Sequence, residues 1–229
     1  MDNFLKYLKH SNSNSEKNPI GDFYVQGKRI YIKDNVHEDV EVKKSFEYVL
    51  GKIPPSFYSK VDRFVIGQFH FLKKREVDAI YKNNCIYITN LQDSNETLIA
   101  DIVHEIAHAF EDLYREELYA DEQIEQEFLS KRKSMLEVLK RYDLVSSFEI
   151  EQKFSEIEYD QSFDELLYKT IGYEKIASLC SGIFISPYSA TCLREYFANA
   201  FENFFVEDVF TVKRYCPSIY KKLVNFLEF

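Results

Sequence analysis

The chain has 229 residues, a formal net charge of −9, and 45% hydrophobic and 29% charged residues. That is enough chain to bury a core, the composition is that of an ordinary globular protein, and the acidic balance argues against nucleic acid or an anionic membrane as a partner. With only six glycines and five prolines it is neither linker-rich nor repeat-rich.

Residues 1 to 20 read as a flexible arm, polar and carrying a Ser/Asn run from Ser11 to Ser15. No secretion-signal stretch stands there, and no later apolar run approaches the ~20 residues that a bilayer requires. The four cysteines, Cys85, Cys180, Cys192 and Cys216, have no CxxC spacing and form no tight cluster. Free thiols are therefore expected, as in the cytoplasm. A protein carried in a phage particle or exported without a signal has the same composition.

From residue 21 onward a single domain is expected. Tyr24 to Lys33, with Gly27 in the middle, predicts a strand or hairpin. Val42, Phe46, Val49 and Leu50 are spaced for a helix over His37 to Leu50, ended by Gly51. Val61 to Gly67 and Cys85 to Thr89 read as strands. Strand, helix, strand, strand is an α+β order. After Asn90 the pattern turns helical. Asp93, Ser94 and Asn95 are N-cap candidates for a helix from about Glu96 to beyond Leu113. The stretch from about 115 to 185 is charged, with apolar residues at helical intervals, and reads as surface helices inserted into the domain. Ala190 to Phe205 predicts a further helix, with a short helical tail from Ser218.

The helix after Asn90 carries His104-Glu105-Ile106-Ala107-His108, an H-E-x-x-H motif. A helix turns about 100° per residue, so residues four apart lie ~40° apart on one face. Both imidazoles can thus reach one ion at the ~2.0–2.1 Å that zinc takes. Glu105 flanks the ion and is placed to hold an attacking water. Leu98, Ile102, Ile106, Ala109 and Leu113 make an apolar face, and Thr97, Asp101, His104, His108, Glu111 and Asp112 lie opposite.

A catalytic zinc has three protein ligands and a water. His108 is the last histidine in the chain, so the third ligand is either a downstream carboxylate or His10, His37 or His70 upstream. The run Arg194 to Glu202, on a helix, places Leu193, Phe197, Ala200, Phe201 and Phe204 on one face and Glu195, Asn199 and Glu202 on the other. Glu195 is the best-placed carboxylate. Polar helix faces commonly carry glutamates, so pattern alone leaves this choice open.

The run from His104 to Asp112, followed later by Tyr188 and by Glu195-Tyr-Phe-Ala-Asn-Ala-Phe201, resembles the catalytic domain of anthrax lethal factor. The wider group of zinc peptidases to which that domain belongs includes the Pro-Pro endopeptidases. The resemblance covers roughly Val36 to the C-terminus, apart from the insertion. It implies a zincin-like domain: a small mixed sheet, an active-site helix, and a mostly helical C-terminal half. It further implies one zinc ion per chain held by His104, His108 and Glu195, with Glu105 as general base. Tyr188, seven residues before Glu195, would assist the transition state, and a protein or peptide would be the substrate. Asp112 and Asn199 become candidates for orienting the metal-binding histidines, and the Cys85 to Thr89 strand for pairing with extended substrate. Asn199 stands where relatives often have a carboxylate. The competing expectations are a non-catalytic zinc-binding structural or assembly component, for instance of a phage particle, and a binding module that recognises its partner through the insertion.

Overall fold

The computed structural model describes residues 20 to 228. The arm expected over residues 1 to 20 therefore lies, but for Ile20, outside the described residues. What is described is α+β, and it falls into two compact units, one ending at Leu113 and the next beginning at Tyr114.

The first unit is built on a five-stranded mixed sheet. Its strands are β1 (Gly21–Val25), β2 (Lys28–Ile32), β3 (Arg63–Gly67), β4 (Ala79–Lys82) and β5 (Cys85–Thr89), in the order β1-β2-β3-β5-β4. The hairpin expected around Gly27 is present: Gln26 and Gly27 both adopt positive φ, as a two-residue hairpin turn requires. Asn83 and Asn84 do the same between β4 and β5. β2 runs parallel to β3 and β3 to β5, while β4 pairs antiparallel with β5. Register aligns two apolar rows across the sheet: Ile30, Phe64 and Ile86, then Ile32, Ile66 and Ile88. All six side chains are buried; burying each contributes ~1.5–3 kcal/mol.

Helix α1 (Val42–Lys52) covers this face, with Phe46 set edge-on to Phe64 at 5.0 Å. It starts later than expected and passes through Gly51; Pro54, two residues beyond the helix, bars its continuation. A short helix, α2 (His70–Arg75), precedes β4. Helix α3 (Asn95–Leu113) packs over β4 and β5. Ser94 is its cap: its Oγ accepts from the Thr97 N–H at 3.1 Å, while Thr97 Oγ1 accepts from the Ser94 N–H at 3.3 Å. This reciprocal pair is a capping box with threonine in place of glutamate.

The second unit is helical: α4 (Arg115–Tyr119), α5 (Gln123–Arg141), α6 (Phe148–Lys153), α7 (Gln161–Glu165), α8 (Tyr173–Leu179), α9 (Leu193–Val206), α10 (Val209–Tyr215) and α11 (Pro217–Glu228). The charged stretch does not form surface helices only. Ile124, Phe128, Arg132, Met135 and Leu139 make a buried stripe along α5, and Met135 and Leu139 join Phe154, Phe163, Leu167 and Ile176 in the core of this unit. Arg132 is 1% exposed. Its guanidinium donates to four backbone carbonyls: Lys153 at 2.8 Å, Glu156 at 2.7 Å, Ala190 at 2.9 Å and Thr191 at 2.5 Å. Its plane also lies over the Phe128 and Phe163 rings, at 4.8 and 4.4 Å. Removal from water lowers its pKa to about 10, so it still carries its proton at neutral pH.

All four cysteines are free and buried. Among the described residues no helix is long and apolar enough to cross a membrane.

Candidate metal centre

Helix α3 is buried over nearly its whole girth in its second half, which corrects the expectation of a polar, open face. Ile102, Val103, Ile106, Ala107, Ala109 and Phe110 are buried, and so are Glu105, His108 and Glu111; Leu113, expected on the apolar face, is exposed. Charged side chains sit inside a fold only when other groups answer them. The Glu105 carboxylate accepts a hydrogen bond from the backbone N–H of Tyr81 in β4. His108 Nδ1 lies 3.9 Å from a Glu111 carboxylate oxygen, beyond hydrogen-bond distance. The His104 and His108 rings stand edge to face, 4.8 Å apart.

Asp112, expected beside a histidine, instead points outward, 3.9 Å from Lys60. A helix rotates about 100° per residue, so the one-residue step from Glu111 to Asp112 separates an inward from an outward carboxylate. The residue that sequence reasoning missed is thus Glu111. Its spacing of three from His108 was the available signal.

In the second unit Glu195 lies in the first turn of α9, following the buried Cys192 at the cap position. Burial pushes the Cys192 thiol up to about 12, with the Glu195 charge adding to the effect, so it stays a neutral thiol at working pH. Tyr188 opens a 3₁₀ turn, Tyr188–Ala190. Burial, then the neighbouring Glu195 charge, pushes its hydroxyl far above the usual phenol range. It is a neutral hydrogen-bond donor. Ser189 locks this turn: its Oγ–H donates to Ser186 O at 2.6 Å, and Oγ lies 3.2 Å from Asn199 Oδ1, which shares that proton. Asn199 therefore acts on the turn that carries Tyr188, not on a histidine as expected. Tyr173 and Asp164, from the stretch read as an insertion, also reach this neighbourhood. The Tyr173 ring meets Tyr188 edge-on at 6.5 Å, and Tyr173 OH donates to Asp164 at 3.1 Å. Nothing local in the sequence pointed to either residue.

His104, His108 and Glu195 each offer one ligand atom, and the three atoms lie within 4.8 Å of one another. This His-His-Glu group can hold a metal ion. Two imidazoles and a carboxylate are donors that zinc takes. His37 and His70, both exposed, do not belong to it, and His10 lies outside the described residues.

Neither family models, nor curated proteins, nor solved structures give a match to this chain.

Proposed function

We propose that the protein is a zinc-dependent endopeptidase, related to the lethal factor group through its motif residues. The observation that carries this reading is the convergence of the His104, His108 and Glu195 ligand atoms to within 4.8 Å. Two imidazoles and a carboxylate, one ligand short of four, are the donor set of a catalytic zinc rather than a structural one. Zinc held there supplies a Lewis acid and an acidified water.

The chain's own groups do the rest. Glu105, fixed by the Tyr81 N–H, takes a proton from water and returns it to the leaving amine. Tyr188, held neutral by burial, donates to the carbonyl oxygen as negative charge develops on it. The strand expected to pair with substrate, β5, is flanked on both sides; its neighbour β4 is one of the two edge strands, with β1 the other, and an extended peptide would add at β4. The Glu105–Tyr81 bond also suits a carboxylate with a purely structural task, as in a non-catalytic zinc-binding assembly component.

Metal content and peptide cleavage separate the two readings. The unmodified protein is expected to hold about one zinc per chain, and Glu195→Ala to lose it. Glu105→Gln should keep the zinc while cleavage of a mixed peptide library falls ~10²–10⁴-fold, the usual contribution of a general base. A Glu105→Gln protein that cleaves like the unmodified one, or a chain that takes up no zinc, sinks the proposal.

A further inference from the structure

One carboxylate in the second unit is ringed by phenols. Tyr173 OH donates to one oxygen of Asp164 at 3.1 Å, and Tyr159 OH donates to the other at 3.0 Å. Tyr168 packs against Tyr173 with ring centroids 5.3 Å apart. Tyr159 and Tyr168 are 52% and 57% exposed, so the group opens to solvent.

No cation answers this carboxylate among the described residues. Of the lysines near it in sequence, Lys153 pairs with Asp160 at 2.6 Å and Lys169 with Glu165 at 3.4 Å. Phenols are neutral: they orient a carboxylate without discharging it. Ring faces attract cations through their quadrupole. An oriented, unneutralised carboxylate among tyrosine rings is the chemistry that receives an organic cation. The ring contact from Tyr173 to Tyr188 joins this group to the tyrosine assigned to the reacting carbonyl.

We infer that Asp164, with Tyr159, Tyr168 and Tyr173, receives one lysine or arginine side chain of the bound peptide. This rests on the peptidase reading of the metal centre, and its test is built so that the two can fail separately. In the first arm, the zinc-loaded protein digests a randomised peptide library and the cut sites are read by mass spectrometry. Lysine and arginine should be enriched about tenfold at one fixed position from the cut, as an ion pair and a cation–π contact together allow. Asp164→Asn should lose that enrichment while still cutting, and Asp164→Lys should shift it to aspartate and glutamate. Tyr168→Ala, at an exposed ring, should weaken it without touching the fold. Enrichment that survives Asp164→Asn overturns the assignment.

The second arm needs no cleavage. Nα-acetyl-lysine methylamide and its norleucine counterpart are titrated against the zinc-loaded Glu105→Gln protein. About tenfold tighter binding of the lysine probe, lost in Asp164→Asn, sustains the receptor even where no peptide is cut. Equal binding of the two probes overturns it.

Discussion

Glu111 and Asp112 are neighbours of the same charge with opposite fates, and their difference is testable. Glu111 is buried, with a carboxylate oxygen 3.9 Å from His108 Nδ1, while Asp112 faces out towards Lys60. A carboxylate that closes to hydrogen-bond distance on a metal-binding imidazole fixes the ring orientation and raises the basicity of its other nitrogen. Glu111→Gln should therefore weaken zinc binding by ~10–100-fold, as measured by competition with a chromogenic chelator. Asp112→Asn should leave it unchanged, because an exposed ion pair at 3.9 Å contributes ~0–1 kcal/mol at most. Equal losses in both variants would mean that the helix, not one carboxylate, governs the site.

At the scale of elements, Arg132 of α5 ties separate pieces of chain together. Its four carbonyl partners lie at Lys153, Glu156, Ala190 and Thr191, the last two in and just after the turn that begins at Tyr188. Removing the guanidinium takes the donor from the buried bonds to the Ala190 and Thr191 carbonyls and leaves a hole between Phe128 and Phe163. Arg132→Ala should cost ~3–5 kcal/mol in chemical denaturation, with part of the loss appearing as a displaced Tyr188 and slower turnover in the protein that remains folded. Arg132→Lys should recover little, since one ammonium cannot span four acceptors in a plane. A loss under ~1 kcal/mol would show that water replaces the guanidinium there.

For the whole molecule, a metal that binds only the folded state adds RT ln(1 + [metal]/Kd), ~4 kcal/mol at a thousandfold excess over Kd. Zinc should raise the melting temperature and a chelator should lower it, equally in the unmodified protein and in Glu105→Gln, while Glu195→Ala should show no shift. Local chemistry made part of this molecule legible in the sequence. The H-E-x-x-H spacing places two imidazoles on one helix face because 3.6 residues make a turn, and the Ser94 cap, the Gly27 hairpin and the α+β order follow from short-range rules. β4 was missed although Asn83-Asn84 signalled its turn, and Gly51 did not stop α1 because packing outweighs the ~1 kcal/mol cost of a helical glycine. Burial was the larger miss. Periodicity reports which residues share a face, but not whether that face meets solvent or another part of the chain. So His108 and Glu111 read as part of a polar face opposite the apolar one, and the stretch that holds α5 as surface helices. The sequence by itself determined the donor types, their spacing on α3 and the elements that carry them. Tertiary structure alone decided which faces of α3 and α5 are buried, that β5 lies inside the sheet with β4 at one edge, and that Asp164 and Tyr173 come beside Tyr188. These outcomes depend on which segments pack against one another, and no local periodicity encodes that.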